Sequence, residues 1–249
     1  MSAEGVIRVA TWNVHACVGL DGRFDPGRSA AVVSELRAQV VALQEVDARR
    51  LETRRFLDQF EFLAERTGLT LIHGAAFHSP DGAYGNALLT SLEVVSVETV
   101  DLSVPGREPR GAIDARLDAG GVRLRVIATH LGLRRYERAR QLRELLTRID
   151  REPATATVLL GDLNEWNPRH RMLASLAMRL RRAEASASFP SRRRMFALDQ
   201  VWLRPGDALL DSGTHLSPAH RLASDHVPVY GTLDLSRLAA WRGALAGDL

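Results

Sequence analysis

The 249-residue chain contains no lysine, so arginine supplies all 33 of its basic side chains. The formal net charge is nevertheless only +3, with a pI of about 9.7. Because this bias runs through the whole chain, it does not by itself indicate a nucleic-acid or membrane partner. The local arginine excess in residues 179–194 is more informative, since guanidinium groups bind phosphate in a bidentate manner.

Cysteine and long apolar runs are also scarce. The single cysteine, Cys17, excludes an internal disulfide and a cysteine-based metal cluster. No apolar run reaches the ~18 residues that a membrane helix needs, and the first residues do not resemble a secretory signal. We therefore expect a cytoplasmic protein. The absence of a linker or repeat predicts one domain over residues 1–249.

Two catalytic motifs are missing. The chain has neither the G-x-S-x-G sequence nor the H-E-x-x-H sequence. These absences exclude the nucleophilic serine of α/β-hydrolases and the zinc site of zincins. If the protein hydrolyses an ester, water is therefore the expected nucleophile.

Polar side chains stand at one end of six apolar, strand-like stretches, which read IRVATWNV, VVALQEV, LRVIATH, TVLLGDLN, ALDQVWL and SDHVPVYGTL. The polar group closes the first four stretches and opens the last two. The residues concerned are Asn13, Glu45, His130, Asp162, Asn164, Asp199, Asp225 and His226. If the last two strands run antiparallel to the others, all these groups lie along one edge and suit a hard cation beside a phosphate ester.

The order of strands and helices predicts a mixed α/β protein. Helical patterns at 28–38, 54–67, 134–149 and 168–181 separate some strands, whereas tight turns separate others. A single parallel sheet does not accommodate this order. Two sheets packed face to face with helices outside do, in a four-layer α/β/β/α sandwich. The glycine-rich loops 14–27 and 77–85 adjoin the polar strand ends.

Oxygen donors at three of these ends suit Mg²⁺, which prefers oxygen ligands and retains several waters. Glu45 follows the run VVAL and can hold the ion. Asn13 can bind it through its carbonyl oxygen or donate to phosphate. Asp225 can complete the set of metal ligands.

The sequence GDLN places Asp162 and Asn164 two residues apart, on the same side of an extended backbone. A carboxylate and an amide in this arrangement can orient water and stabilise charge at phosphorus. His226, in SDH, has an ordinary pKa suited to a general base, and Asp199 can orient it. His130 can protonate the leaving oxygen or bind phosphate.

The ordered set TWNVH, LQEV, YGNALLT, EPRGAIDARL, ATHLGL, GDLNEW, ALDQVWL and SDHVPVY resembles the endonuclease/exonuclease/phosphatase superfamily, and it covers nearly the whole chain. The resemblance is to metal-dependent phosphoesterases of the deoxyribonuclease and sphingomyelinase type. It implies the four-layer sandwich and Mg²⁺-dependent cleavage of phosphoesters, with Mn²⁺ as a substitute. It makes Glu45 the principal metal ligand, with Asn13 and Asp225 near it.

The resemblance also implies roles for the remaining groups. Asp162 would position water or steady the leaving group, and Asn164 would hold phosphate. His226, held by Asp199, would be the base or an essential phosphate contact. Asn86 matches an amide near the phosphate in the family. Either Arg107 or Arg110 would contact phosphate.

These features lead us to expect a phosphodiesterase or nuclease-type hydrolase that uses an activated water. A phosphomonoesterase or phospholipid-headgroup hydrolase of the same fold is the alternative. A binding module without turnover is a further alternative, with the arginines of 134–149 and 179–194 as its surface for phosphate or nucleic acid. The expected partner is a nucleic acid, a phospholipid headgroup or a small phosphoester, bound to a monomer.

Overall fold

The computed structural model describes residues 5–49, 57–79 and 81–246, and its strands form two mixed six-stranded sheets. The strands are β1 (Val6–Asn13), β2 (Val40–Asp47), β3 (Thr70–Ser79), β4 (Gly82–Thr90), β5 (Glu93–Asp101), β6 (Gly111–Asp118), β7 (Arg123–His130), β8 (Thr157–Asp162), β9 (Arg181–Arg182), β10 (Asp199–Arg204), β11 (Leu209–Thr214) and β12 (Val229–Asp234). Sheet 1 has the order β11-β12-β1-β2-β4-β3, and sheet 2 has the order β5-β6-β7-β8-β10-β9.

Most helices lie on the outer faces of the two sheets, whereas the last one packs Leu238 against the core between them. The helices are α1 (Pro26–Leu36), α2 (Gln59–Thr67), α3 (Arg135–Arg151), α4 (Arg171–Ala177), α5 (His220–Ala223) and α6 (Leu235–Ala246), with 3-10 turns at His15–Cys17 and Gly206–Ala208. Within the described ranges, every helix is too short or too polar to cross a lipid bilayer.

Side-chain alternation along the strands produces three apolar layers. Val9 of β1 packs toward sheet 2, in a core that includes Val126 and Val201. The next residue, Ala10, packs on the opposite face with α1 and α2. On sheet 2, Ile127 packs outward among residues of α3 and α4. Successive side chains of a strand point to opposite faces, so these cores build the predicted four-layer α/β/β/α sandwich.

The strand directions bring the predicted polar ends together. β1 runs parallel to β2 and β7 runs parallel to β8, so their carboxyl ends share one edge. β12 is antiparallel to β1, and β10 is antiparallel to β8. The amino ends of β10 and β12 therefore lie at that same edge, as the sequence predicted.

Several predicted boundaries differ from the structure. α1 begins at Pro26 rather than at residue 28, because Asp25 accepts a hydrogen bond from the Arg28 N–H and proline suits the first helical position. The helix predicted at 168–181 ends at Ala177, and residues 181–182 pair with β10 as an edge strand instead. β11, α5 and α6 were not predicted.

Two further differences lie around strands β2 and β3. The helix predicted at 54–67 is described only from Gln59, and its first residues lie outside the described ranges. The loop predicted at 77–85 is a hairpin, in which β3 extends to Ser79 and β4 begins at Gly82. The two strands remain hydrogen-bonded to each other up to the turn, so paired strands stand where the sequence predicted a loop.

Gly161 allows β8 to approach β7 beside the polar edge. Its φ is +151°, and a Cβ atom at this position would lie 1.8 Å from the carbonyl oxygen of Thr129. Thr129 is the register partner of Gly161, directly before the His130–Asp162 pair. Glycine is therefore required at this position inside the strand.

Gly161→Ala should lower the free energy of unfolding by about 3 kcal/mol or more, because it combines backbone strain with a backbone clash. Gly106→Ala is the matched control, since Gly106 also has a positive φ of +72° but has open space around its Cβ position. The control should cost only about 1 kcal/mol. Urea unfolding of both variants measures the difference, and equal losses would contradict the close approach.

Candidate functional site

Asp162 is the centre of the polar edge. It ends β8, where its register partners are His130 on parallel β7 and Asp199 on antiparallel β10. The three residues are buried, with exposed fractions of 1%, 5% and 1% for Asp162, His130 and Asp199. The register of sheet 2 therefore fixes two carboxylates and an imidazole side by side, away from bulk water.

His226 adds the second imidazole, from the segment before β12. Its Nδ1 lies 2.7 Å from Oδ2 of Asp199, which also accepts a 2.6 Å hydrogen bond from Ser188 Oγ. The Nε2 atom of His226 lies 3.9 Å from Oδ2 of Asp162. The structure thus brings together the carboxylate–imidazole pair that the sequence proposed, with Nε2 directed toward Asp162.

The environment of His226 favours its protonated form. Burial lowers the pKa of the imidazole, but the charge and hydrogen bond of Asp199, with a further contribution from Asp162, outweigh it and raise the pKa to about 10. The sequence suggested an ordinary pKa and a general base. A protonated imidazole instead donates hydrogen bonds and stabilises negative charge.

The environment of Asp162, in contrast, favours the neutral form of its side chain. Burial and the nearby charge of Asp199 raise the pKa of the Asp162 carboxyl to about 6. Its carboxylate accepts hydrogen bonds from the Asn164 N–H, at 2.9 Å, and from Asn13 Nδ2, at 3.2 Å. A carboxylate with a raised pKa is a better proton acceptor near neutral pH than an ordinary aspartate.

His130 and Asn164 form the other side of this group. Asn164 Nδ2 donates to the Leu131 carbonyl oxygen at 2.8 Å and lies 3.1 Å from Nε2 of His130. Burial, followed by the positive charges of Arg110 and His226, holds the pKa of His130 well below its ordinary value. His130 is therefore neutral at physiological pH and can donate one hydrogen bond and accept another.

Glu45 reaches the site from sheet 1 through a break in the β2–β4 pairing. The register shifts between Leu43 and Val46, and Glu45 has a φ of +58°. Non-glycine residues in this region cost of order 1 kcal/mol and are concentrated at functional sites. The bulge turns the Glu45 carboxylate toward Asn13, whose Nδ2 donates to its Oε1 at 2.8 Å.

Asn13 connects the two sheets. Its amide nitrogen donates both to Glu45 and to Asp162, and its Oδ1 accepts from the His15 N–H at 3.0 Å. Nearby, the Asn13 carbonyl oxygen accepts a 2.7 Å hydrogen bond from Ser224 Oγ, which ties β1 to the SDH segment.

Asp225 lies at the more open side of the site. Its side chain is 33% exposed, and its Oδ1 is 4.0 Å from Nδ1 of His15. His15 is not among the site residues that the sequence predicts, and the 3-10 turn after β1 places it there. His15 therefore joins Asp225 and Asn13 at the rim of the site.

The acidic groups fit a cation. Within the described part of the chain, no arginine forms an ion pair with Glu45, Asp162, Asp199 or Asp225. Ligand atoms of Asp162, Asp199 and His226 also lie within 4.8 Å of one another. However, Oδ2 of Asp199 is already hydrogen-bonded to His226 and Ser188. The Glu45 carboxylate beside Asn13 and Asp162 is therefore the more suitable position for an oxygen-preferring divalent ion.

The two arginines that the sequence could not separate occupy different environments. Arg107 is 43% exposed and pairs with Glu137 at 3.1 Å. Arg110 is buried and pairs with the half-exposed Glu108 at 2.9 Å, but its Nε has no hydrogen-bond partner, and its charge acts on His130. Asn86 is also buried, with Nδ2 donating to the Gly111 carbonyl oxygen and Oδ1 unpartnered. Arg110 and Asn86 therefore retain free polar atoms for a ligand.

Sequence reasoning missed an aromatic cluster next to His226. The Phe189 ring lies 4.7 Å from the His226 ring, and Trp166 packs edge-on against Phe189 and Phe196 at 5.6 Å and 4.6 Å. Trp166 is 44% exposed. Aromatic residues make up only 6% of the chain, but these three rings come from separate segments and meet at the site.

The chain is similar to known proteins over most of its length. The model of the Endonuclease/Exonuclease/phosphatase family matches residues 10–226. The uncharacterized protein YbhP of Escherichia coli strain K12 is 28% identical over 244 residues, which cover 92% of this chain and 96% of that protein.

Solved structures share the fold. An endonuclease/exonuclease/phosphatase from Beutenbergia cavernae superimposes with a TM-score of 0.75 at 24% identity, over 93% of this chain and 72% of that chain. TDP2 of D. rerio, solved with a single-strand DNA product, superimposes with a TM-score of 0.70 at 18% identity, over 92% of this chain and 99% of that chain.

The pKa values of the two site histidines should be shifted in opposite directions, upward for His226 and downward for His130. In EDTA, we expect the imidazole of His226 to remain protonated at pH 8 and that of His130 to remain neutral at pH 6, because Asp199 acts on the first and burial on the second. Long-range ¹H–¹⁵N NMR of the imidazole groups measures both states. Asp199→Asn should lower the pKa of His226, and an unchanged pKa in that variant would contradict the assignment.

Proposed function

The chain belongs to the endonuclease/exonuclease/phosphatase family, and we propose that it is a divalent-metal-dependent phosphodiesterase that attacks phosphorus with water. Members of this family are hydrolases that act on phosphoesters. The observation that carries the proposal is the Asn13 amide, which links Glu45 of sheet 1 to Asp162 of sheet 2 at hydrogen-bond distance. That link holds a metal-binding carboxylate next to a carboxylate that can accept a proton.

We assign the ion to Glu45, with Asn13 and Asp225 near it. A bound Mg²⁺ or Mn²⁺ would offset negative charge on the phosphate oxygens. Asn13 retains a second lone pair on Oδ1, since the His15 N–H uses only one. The surplus of carboxylates without arginine partners supports this assignment.

The proton and charge assignments follow from the two raised pKa values. Asp162, whose pKa is raised to about 6, orients the attacking water and takes its proton. His226, whose pKa is raised to about 10, donates from Nε2 to a phosphate oxygen and stabilises the charge that develops there. Asp199 is a positioning residue that holds His226 and its tautomer.

The remaining polar groups suit the phosphate and the leaving oxygen. Asn164 orients His130, whose neutral ring can hydrogen-bond to a phosphate oxygen. Arg110 and Asn86 have polar atoms without partners, and both are buried. Arg110 Nε is a donor without a partner and gains free energy from a bound anion. The unpartnered atom of Asn86 is the acceptor Oδ1, so Asn86 would face phosphate with its Nδ2, which has a second N–H besides the one donated to the Gly111 carbonyl oxygen. These groups favour a substrate with an exposed phosphate.

The aromatic cluster of Trp166, Phe189 and Phe196 adjoins His226 and supports a substrate that carries a planar or apolar group next to the phosphate. Stacking on such rings is tolerant of base identity. A panel of single-stranded oligonucleotide, plasmid DNA, sphingomyelin, inositol phosphates and nucleotide esters, with Mg²⁺ or EDTA, separates diesterase from monoesterase and lipid-headgroup activity. Binding without any Mg²⁺-dependent product would instead favour a non-catalytic module.

Asp162→Ala and His226→Ala should each lower the rate of bis-p-nitrophenyl phosphate hydrolysis by about 100-fold or more, because each removes a polar group that acts in the transition state. His73→Ala serves as the control, since His73 is an exposed histidine on β3, paired with Glu61. Initial rates in Mg²⁺ provide the measurement. Normal turnover in both site variants would reject the mechanism.

Glu45→Gln should raise the Mg²⁺ concentration needed for half-maximal rate by about tenfold or more, because a carboxylate ligand is replaced by a neutral amide. EDTA should abolish hydrolysis, and Mn²⁺ should restore it. Glu61→Gln is a suitable control, because the Glu61 side chain lies on α2 and pairs only with His73 among the described residues. An unchanged Mg²⁺ requirement in Glu45→Gln would place the ion elsewhere.

A further inference from the structure

A second concave site lies on the outer face of sheet 2, apart from the edge that holds Asp162. It is a groove of about 710 Å³ between α4 and the β9–β10 pair. Its lining residues are Pro168, Arg169, His170, Leu173, Ala174, Ala177, Met178, Arg179, Leu180, Arg181, Arg182 and Trp202. None of these lining residues is acidic, and none belongs to the catalytic assignments above.

The base of the groove is apolar. Trp202, Leu173 and Leu180 are almost fully buried, with exposed fractions of 3%, 5% and 2%. Met178 stands at the mouth and is 80% exposed. A flexible methionine at an open rim can adjust to the shape of an apolar group. The groove therefore offers apolar contact as well as positive charge.

The four arginines of the groove differ in their partners. Arg179 forms a paired hydrogen bond with Asp150, at 2.7 Å and 2.8 Å, and Arg181 donates to the Gly206 carbonyl oxygen at 3.0 Å. Within residues 5–49, 57–79 and 81–246, the Arg182 and Arg169 side chains form no ion pair or hydrogen bond. Only Arg179 is paired with a carboxylate, so three of the four positive charges lack a counter-ion among the described residues, and Arg182 and Arg169 also lack a side-chain hydrogen bond.

Arg182 is the more unusual of these two side chains. Its guanidinium carbon lies 5.9 Å from the centre of the Trp202 ring, and β9 pairs the two residues directly across the strands. The residue is partly buried, and burial lowers the pKa of its guanidinium. A partly dehydrated cation without a counter-ion gains free energy when an anion replaces its lost water.

We propose that this groove binds a phosphate group joined to an apolar or aromatic body. Arg182 and Arg169 contact the phosphate, and the body lies over Trp202 and Leu173 beside Met178. Two guanidinium groups suit an anion of charge near −2, and arginine binds phosphate in a bidentate manner. A nucleotide and the headgroup region of an anionic lipid both have this chemistry.

The test measures binding and its position together. Isothermal titration in EDTA uses AMP, dihexanoyl phosphatidic acid below its micelle concentration, and inorganic phosphate. The Trp202 indole lines the groove, and its Nε1–H donates to Gln200 at 2.9 Å. Its ¹H–¹⁵N signal, assigned with Trp202→Phe, therefore reports on the groove itself. We expect saturable binding of AMP or the lipid, with a shift of this signal.

Arg182→Met should weaken that binding by about tenfold or more, whereas Arg66→Met should not. Arg66 is the matched control, because it is exposed in the last turn of α2, on the outer face of the other sheet. Ala177→Glu, which adds an acidic side chain to the exposed wall of the groove, should also abolish binding. Circular dichroism establishes that each variant is folded.

The results distinguish a nucleotide from an anionic lipid headgroup, and some of them would contradict the proposed site. Tighter binding of AMP supports a nucleotide, and tighter binding of the lipid supports an anionic headgroup. Equal affinity for inorganic phosphate would overturn the role of the apolar base. Binding that survives Arg182→Met and Ala177→Glu, a Trp202 signal that does not move, or no binding of any probe would overturn the site. Hydrolysis of bis-p-nitrophenyl phosphate should be unchanged in Arg182→Met.

Discussion

The arrangement of the site depends on two carboxylates that sheet 2 holds against each other in a buried place. Asp162 and Asp199 are direct register partners on β8 and β10, and both are almost fully inaccessible to water. The charge of Asp199 raises the cost of ionising Asp162, so positive charge must be close. His226 supplies one such charge through Asp199. The strand register thus favours the protonated state of this imidazole, and in the proposed mechanism proton acceptance falls to Asp162.

Sheet 1 contributes Glu45 and Asn13 to the site, and its regular strand pairing is interrupted there. The β2–β4 pairing breaks at Glu45, which adopts a left-handed backbone conformation. Without the bulge, the alternation of β2 would fix the Glu45 side chain to one face of the sheet instead of aiming it at Asn13. Asn13 then joins this carboxylate to Asp162 across the gap between the sheets. The polar edge therefore forms where the two sheets meet, and neither sheet alone contains it.

Much of this edge could be predicted from the sequence, because the polar groups stand at the ends of apolar strands and the last two strands reverse direction. That pattern alone predicts which residues stand at the carboxyl ends of β1, β2, β7 and β8. It also predicts those at the starts of the segments that lead into β10 and β12. The contributions of Ser188 and the Trp166 cluster could not be predicted, since they lie in loops whose paths depend on packing. The choice between Arg107 and Arg110 also depends on the burial and the partners of each side chain, which the spacing of residues in the sequence does not reveal.

The absence of lysine illustrates the same limit for function. Arginine serves here as a structural residue as well as a binding residue, and composition does not separate the two uses. Arg125 is buried against Asp114 with hydrogen bonds of 2.9 Å and 2.5 Å, and Arg138 is buried against Glu165 beneath the loop after β8. These cations are neutralised and have no free capacity for a ligand. Neither Arg110 nor Arg182 has a buried carboxylate partner among the described residues: Arg110 pairs with Glu108, whose side chain is about half exposed, and Arg182 forms no ion pair. The presence or absence of such a partner, rather than the number of arginines, therefore distinguishes a cation that holds the fold from one that is available to a phosphate.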